Sequence, residues 1–255
     1  MKNGSPRAVD VHAHYIPPDV IGMMASGRAA VSTHADAGVT GCIALNGMRV
    51  GATIDQLSSV DSMLSAMDDA GIGMRVLSPP PFTYRYWSDP EEALALHRRL
   101  NEATAEVVEA HPDRFAGLAI APLQAPELAA AELRRGVRDL GLRGLTVGTN
   151  VDGQNLSADG PSAVLRAAEE LDVSVLVHPD FVPNERIADH YLVNLVGMPT
   201  ESAIALANLV LSGRLEELAG LRMCFVHGGG SLPYLLGRLD KGWQVRPETR
   251  STTGR

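Results

Sequence analysis

Two histidines near the start of the chain have a spacing that suits metal chemistry. His12 and His14 lie two residues apart in an apolar run, residues 8–14, that has the pattern of a β-strand. Successive side chains of a strand point to opposite faces, so these two imidazoles share one face, about 6.6 Å apart along the chain. Such a pair can bind one ion, although two polar histidines within a protein core would show the same spacing.

Two further histidines stand at the ends of apolar runs. His178 ends residues 173–178 (VSVLVH), and His227 ends residues 223–227 (MCFVH). Half of the eight histidines therefore lie at the C-terminal ends of predicted strands. In a parallel β/α barrel these ends surround a single pocket. The constellation predicts a metal-binding cavity, which no one of these histidines would indicate alone.

The three glycines after His227, Gly228 to Gly230, permit a second interpretation. A His-Gly-Gly-Gly sequence also begins the oxyanion loop of some serine esterases. Those enzymes need a Gly-x-Ser-x-Gly nucleophile turn, which this sequence does not contain. A tight turn that lets the backbone approach a substrate is the better interpretation of the triplet.

The elements that must position these histidines alternate between short apolar runs and longer segments of helical period. The predicted strands are residues 8–14, 74–78, 115–121, 142–148, 173–178 and 221–227. One helix is expected where Leu57, Val60, Leu64 and Met67 form a stripe. Repeated β-then-α units predict a parallel sheet, either an open doubly wound sheet or a (β/α)₈ barrel. The first strand is followed by His-Ala-His-Tyr rather than by a glycine-rich phosphate turn, which favours the barrel.

Two connections are much longer than the usual 2–6 residues of a βα loop. Residues 15–53 follow the first strand, and residues 180–199 follow the strand that ends at His178. Both would lie on the C-terminal face, where barrel enzymes hold their active sites. We expect residues 15–53 to form a lid or a small insertion over the site.

Composition and charge narrow the range of functions. The chain of 255 residues has a net charge of −8, which argues against nucleic acid or an anionic membrane as the partner. Two distant cysteines indicate a reduced compartment. The first residues lack the apolar core of a signal peptide, and no apolar run approaches the ~20 residues of a membrane helix. A soluble, cytoplasmic protein is expected.

Several segments carry a family resemblance, among them residues 9–18 (VDVHAHYIPP), 111–115 (HPDRF), 122–129 (PLQAPELA), 176–179 (LVHP), 194–201 (NLVGMPTE) and 225–230 (FVHGGG). They resemble the aminocarboxymuconate-semialdehyde decarboxylase family of the amidohydrolase superfamily. The resemblance extends over nearly the whole chain, to about Arg246.

This resemblance implies a zinc-dependent carboxy-lyase on a barrel, with no organic cofactor. His12, His14 and His178 match the family's metal ligands, and His227 matches its acid/base histidine. Arg238 matches an arginine that reaches the substrate of a neighbouring subunit, which implies a homodimer. Arg49 is nearest to the family's other substrate arginine, with a spacing about two residues off.

The sequence departs from the family pattern at its C-terminal end. The family completes its metal site with an aspartate at the end of the eighth strand, which has no counterpart before Arg255. Residues 1–255 are therefore expected to form a single, C-terminally truncated barrel domain with about six of the eight βα units. Three histidines and a water can still bind zinc tetrahedrally.

Three functions remain open from the sequence. The leading hypothesis is non-oxidative decarboxylation of a small unsaturated or aromatic carboxylic acid, with Arg238 pairing with a carboxylate. A metal-dependent hydrolase of an amide, lactone or ester would use the same metal and base. A truncated homologue with little or no catalysis is the third.

Overall fold

A computed structural model describes residues 8–24, 30–36, 39–45, 48–180 and 185–250, with only the backbone described at 36 and 48–51. Eleven strands and nine α-helices occur in these ranges. The strands are β1 (Ala8–His14), β2 (Val31–Asp36), β3 (Val39–Leu45), β4 (Met48–Thr53), β5 (Ile72–Ser78), β6 (Phe115–Gly117), β7 (Gly144–Val147), β8 (Asn150–Val151), β9 (Gln154–Asn155), β10 (Ser174–Val177) and β11 (Arg222–Phe225). The helices are α1 (Pro18–Met23), α2 (Ile54–Ser58), α3 (Val60–Asp69), α4 (Pro90–Ala110), α5 (Pro126–Arg138), α6 (Asp159–Glu170), α7 (Met198–Leu211), α8 (Arg214–Glu217) and α9 (Leu232–Val245).

Six parallel strands form the wall that carries the histidines. They pair in the orders β1-β5-β6 and β11-β10-β7, and a bridge between Ala119 and Leu145 joins the two groups. Neighbours in this wall are consecutive along the chain, apart from the short antiparallel strands inserted in the loops. A doubly wound sheet would instead reverse its strand order at a switch point. The order therefore confirms the predicted barrel-type fold, with six of its parallel strands in the described residues.

The wall curves strongly across its six strands. β1 and β11 each pair with only one of the other five strands in the described ranges. Nevertheless, the rings of His12 on β1 and His227 after β11 lie 5.6 Å apart, between centroids. The first and the sixth strand therefore bring their C-terminal ends together across one cavity.

The third parallel strand, β6, is shorter than the predicted run of residues 115–121. Beyond Gly117 the chain stays extended, and Ala119 exchanges backbone hydrogen bonds with β7. The backbone of Ile120 bonds instead to a side chain, because Asn101 accepts from its N–H at 2.8 Å and donates to its carbonyl at 3.0 Å. A buried amide on α4 thus replaces part of the strand ladder.

Strands β2, β3 and β4 form a separate three-stranded antiparallel sheet, in the order β2-β3-β4. Its inner face is apolar, and Val31, Ile43 and Leu45 are buried against the main core. These strands lie inside the long connection that follows β1. The sequence predicts a lid or insertion here without indicating strands.

The helix expected along the Leu57–Met67 stripe is two helices, α2 and α3. Ser59 separates them in an extended conformation and caps α3, because its hydroxyl accepts from the Ser62 N–H at 3.2 Å. Serine favours such a cap over a helix interior. Leu57 and Met67 still point to the core, so the apolar stripe survives the break.

The helical segment Val193–Leu211 combines a π-helical turn, Val193–Gly197, with α7. By length and composition alone this segment could cross a membrane. This is weak evidence, since core helices of soluble proteins have the same length and composition, and a third of the segment (33%) is buried within the fold.

Candidate metal centre

His12 and His14 reach the cavity from the C-terminal half of β1. The parallel pairing of β1 with β5 sets His14 opposite Ser78. Upstream, the Asp10 carboxylate accepts from the His12 backbone N–H at 3.1 Å and from Arg75 Nε at 3.2 Å. These contacts hold the strand so that both imidazoles lie on its cavity side.

His178 follows β10 directly and is the most deeply buried of the site histidines, with 5% of its surface exposed. Its backbone N–H donates to the Val147 carbonyl at 2.9 Å, which extends the β7–β10 pairing by one residue. Its ring Nδ1 lies 2.7 Å from the Pro179 carbonyl oxygen. A carbonyl can only accept, so Nδ1 carries the proton and Nε2 keeps a free lone pair.

His227 follows β11 in a strained turn. It has a φ of 57°, in the left-handed region that non-glycine residues rarely adopt. Gly230 ends the turn with a φ of 65°, and a Cβ placed there would lie 1.8 Å from the Pro199 carbonyl oxygen at the start of α7. The glycines therefore let the turn pack against α7, and this packing directs His227 to the cavity.

The four imidazoles meet in one place. The centroid of the His12 ring lies 5.2 Å from that of His14, 4.9 Å from that of His178 and 5.6 Å from that of His227. His178 is also 5.1 Å from His14 and 5.3 Å from His227. The structure thus brings together four of the residues that the sequence singled out.

Three of these histidines fit a metal ion. One ligand nitrogen each from His12, His14 and His178 lies within 4.8 Å of the others. Nitrogen ligands bind zinc at about 2.0–2.1 Å, so two ligands of one tetrahedral ion stand about 3.4 Å apart. Each nitrogen would therefore move inwards by up to about 0.7 Å when an ion binds. Imidazole nitrogen is a suitable donor for zinc and other divalent transition metals.

The environment keeps these imidazoles neutral. Burial, followed by repulsion from His12, lowers the pKa of His14 to about 4. Burial also holds the pKa of His178 well below its ordinary value, with a further lowering by His14. The pKa values of His12 and His227 are lowered too, again mainly by burial. Neutral imidazoles are the form that binds metal.

A cavity of about 240 Å³ opens beside the cluster. Three site histidines and two other polar residues contribute to its lining, namely His14, His178, His227, Asp180 and Asn194. The remaining walls are apolar: Leu45, Ala52, Leu57, Pro80, Pro81, Phe82, Val193 and Met198. An apolar chamber with a few convergent polar groups is typical of small-molecule sites. Leu45 and Ala52 come from the antiparallel sheet of β2, β3 and β4, which thus covers one side of the cavity.

The two predicted substrate arginines, unlike His14, His178 and His227, are not seen to line the cavity in the described part of the structure. Arg238 lies on α9, exposed, and is not among the residues that line the cavity. Arg49 belongs to β4, which runs beside the cavity wall, but its side chain lies outside the described part of the structure. The structure therefore does not bring Arg238 into the site of its own chain.

Sequence reasoning missed three polar residues at or near the site: Ser78, Asp180 and Asn194. Each had a signal in the sequence. Ser78 ends a strand just as the histidines do, and Asp180 follows His178 by two residues. Asn194 lies within one of the family-like segments, in the π-helical turn.

Comparison with known proteins finds relatives that match most of this chain. The chain is 36% identical over 189 residues to 2-amino-3-carboxymuconate-6-semialdehyde decarboxylase of Dictyostelium discoideum, covering 74% of this chain and 53% of that protein. It is 34% identical over 196 residues to gamma-resorcylate decarboxylase of Rhodococcus jostii, covering 71% and 59%. The chain thus spans somewhat more than half the length of these relatives.

A solved structure with a similar fold is 5-carboxyvanillate decarboxylase of Novosphingobium aromaticivorans, complexed with manganese and 4-hydroxy-3-methoxy-5-nitrobenzoic acid. The TM-score is 0.81 at 23% identity, over 95% of this chain and 71% of that one. The sequence model of the amidohydrolase family matches residues 9–252. That match covers nearly the whole chain, and we conclude that the chain belongs to the amidohydrolase family.

Proposed function

We propose that this protein is a metal-dependent carboxy-lyase that removes CO₂, without oxidation, from an aromatic or unsaturated carboxylic acid. The observation that carries the proposal is the meeting of four strand-end imidazoles beside an apolar cavity. The names of the relatives support the reaction class, since they are decarboxylases of unsaturated or aromatic acids. The manganese in one structural relative supports a divalent metal, and we propose zinc from the three-nitrogen ligand set.

In this proposal His12, His14 and His178 hold the metal. A divalent cation held by them would supply a Lewis acid, which would polarise a substrate oxygen and draw electron density from the carbon that carries the carboxylate. The apolar walls around Phe82 and Leu57 pack against the flat carbon skeleton and exclude water. The carboxylate-bearing end of the substrate then faces the histidine cluster.

His227 is the proton carrier in this scheme. The bond between the substrate carbon and its carboxylate breaks, CO₂ leaves, and the electron pair left on carbon takes up a proton. His227, neutral at rest, takes that proton from the solvent and delivers it to the carbon. It is placed for this role because it lines the cavity while its ring stands within 5.6 Å of two ligand histidines, between centroids.

We further propose that the working unit is a homodimer in which Arg238 serves the neighbouring site. Arg238 is exposed, and beside it on the same face of α9 lie Tyr234 and Leu235, four and three positions earlier, with 94% and 39% of their surfaces exposed. Apolar side chains on the face of one helix are typical of a protein contact. Light scattering of the purified protein tests this: a mass of one chain at micromolar concentration contradicts the dimer.

The reaction itself is tested by incubating protein loaded with Zn²⁺ or Mn²⁺ with 2,6-dihydroxybenzoate, a simple aromatic acid, and measuring CO₂ and resorcinol. The proposal expects equimolar products that require the metal. Aryl esters and lactones are assayed in parallel, since a metal-dependent hydrolase would release acid and alcohol instead. Failure to release CO₂ from a panel of aromatic and unsaturated acids, by protein that holds metal, contradicts the proposed reaction.

A further inference from the structure

One polar side chain contacts the cluster without belonging to the proposed ligand set. Ser78 is the last residue of β5 and is completely buried. Its Oγ lies 3.2 Å from the Nδ1 atom of His14 and 3.2 Å from the carbonyl oxygen of Ala13. The parallel pairing of β1 with β5 sets Ser78 directly opposite His14, and the Tyr15 N–H donates to the Ser78 carbonyl at 3.0 Å. The side chain is therefore held at this place from two sides.

The two contacts together favour one arrangement of the protons. A carbonyl oxygen has no proton, so the bond between Ser78 and Ala13 uses the single hydroxyl proton of Ser78. The oxygen of Ser78 can then only accept from His14. That requires the proton of the neutral His14 ring to reside on Nδ1, which leaves Nε2 unprotonated.

From this geometry we infer that Ser78 is a positioning residue that selects the Nδ1–H tautomer of His14 and thereby presents Nε2 to the metal. The inference rests on the metal site proposed above. His178 receives the same orientation from the backbone carbonyl of Pro179. No substitution removes that carbonyl, so Ser78 is the contact of this kind that mutation can test. Hydrogen-bond partners that orient a ligand histidine typically change metal affinity by about 10–100-fold.

A simpler role for Ser78 would be to satisfy the Ala13 carbonyl and stabilise the strand. The two roles differ in what they affect. A structural role alters only the free energy of unfolding, whereas the positioning role alters the tautomer of His14 and the affinity for metal.

The test uses the full chain, with histidine labelled with ¹⁵N, in its metal-free state at pH 7.5. Two-bond ¹H–¹⁵N spectra assign the protonated nitrogen of each ring. We expect Nδ1–H for His14 in the wild-type protein and a substantial share of Nε2–H in Ser78→Ala. Zn²⁺ and Mn²⁺ titrations should show weaker binding by about 10–100-fold in Ser78→Ala. Ser78→Thr, which keeps the hydroxyl, should restore the wild-type tautomer and affinity.

Ser162→Ala is the matched control. Ser162 is also buried, on α6, and its hydroxyl has no hydrogen-bond partner in the described structure. The Ser162→Ala variant should bind metal with the same affinity as the wild-type protein. An unchanged tautomer and metal affinity in folded Ser78→Ala overturns the inference. If Ser78→Ala does not fold, the wild-type spectra still test the inference. A wild-type His14 ring that carries its proton on Nε2 would overturn it. A wild-type protein that binds neither metal contradicts the proposed function. The spectra of the metal-free protein would still test whether Ser78 sets the tautomer of His14.

Discussion

At the scale of single residues, the site depends on imidazoles that remain neutral and correctly oriented. His178 holds its proton on Nδ1 through the Pro179 carbonyl, and burial holds its pKa well below the ordinary value. His227 differs from the ligand set because it is not one of the three histidines whose ligand nitrogens lie within 4.8 Å of one another. Replacing a ligand histidine should therefore lower metal binding, whereas replacing His227 should lower turnover.

We predict that His227→Asn abolishes most of the turnover and leaves the metal in place. Loss of a proton carrier typically lowers kcat by about 10²–10⁴-fold. Steady-state rates and metal content per chain check this. His111→Asn, at the C-terminal end of α4, is the control and should retain wild-type rates. A His227→Asn variant with unchanged kcat would remove His227 from the mechanism.

A second residue-scale prediction concerns His97, which is completely buried on α4 and lies outside the cavity. Its Nε2 lies 3.0 Å from the Thr83 carbonyl oxygen, while Nδ1 has no partner among the described residues. Burial lowers the pKa of His97 to about 4. On acidification the unfolded chain therefore takes up a proton at this histidine before the folded protein does.

The stability that neutral His97 contributes is complete above pH 6.5 and is lost as the pH falls from 6.5 towards 4. The loss amounts to about 3 kcal/mol of the free energy of unfolding. His97→Gln keeps an amide donor for Thr83 and should lose less stability over this range. Urea unfolding of both proteins at pH 7 and pH 4.5, with chelator present, checks the difference. Other buried histidines titrate equally in both proteins, so equal losses would contradict the prediction.

At the scale of the elements, the site depends on how a strand end packs against a helix that precedes it in the chain. The turn after β11 contacts the start of α7, and the π-helical turn before α7 provides Val193 and Asn194 to the cavity. One helix therefore supports both the histidine that we propose as the proton carrier and part of the cavity wall. Substitutions that disturb this contact should lower the stability of the fold and the rate of catalysis together.

Gly230→Ala tests this contact. The added Cβ would stand 1.8 Å from the Pro199 carbonyl oxygen, and the φ of 65° already disfavours alanine. We expect a loss of at least about 2 kcal/mol in the free energy of unfolding, together with a fall in turnover because His227 moves. Urea unfolding and kcat measure the two effects.

Gly237→Ala is the matched control for that variant. A Cβ at Gly237, within α9, meets nothing within 4 Å. Alanine favours a helix over glycine by about 1 kcal/mol, so this variant should be as stable as the wild-type protein or more stable. Equal stability of the two alanine variants would show that the close approach to α7 is unimportant.

At the scale of the whole molecule, the histidine cluster joins the two ends of the parallel wall. β1 and β11 do not pair with each other in the described structure, yet their histidines meet at the same point. A metal bound by His12 and His178 would connect the first strand to the fifth of the wall, across the cavity. Metal binding should therefore stabilise the entire fold and not only the site.

We predict that a saturating divalent metal raises the melting temperature. A ligand at a hundred times its Kd adds about 2.7 kcal/mol to the free energy of unfolding, which corresponds to several degrees for a chain of this size. Thermal unfolding with chelator and with Zn²⁺ or Mn²⁺ checks this. His178→Ala should melt at the same temperature with and without metal. A shift that persists in that variant would place the stabilising ion elsewhere.

Much of the site could be predicted from the sequence because its determinants are local. A two-residue spacing sets His12 and His14 on one face, and an apolar run followed by a histidine marks the ends of β10 and β11. The alternation of runs also predicted a parallel barrel wall of about six strands, which the structure confirms. Such patterns depend on the geometry of strands and helices, which is the same in every fold.

Other features depended on contacts between residues far apart in the chain. Tertiary packing alone decided that the ring of His12 lies 5.6 Å from that of His227, that Ser78 contacts His14, and that β2, β3 and β4 pair as a sheet over the cavity. The curvature of the wall is a sum of small twists and side-chain volumes over many residues, and no local pattern records it. The sequence by itself therefore determined which side chains end the strands, and only the tertiary structure decided which of them meet.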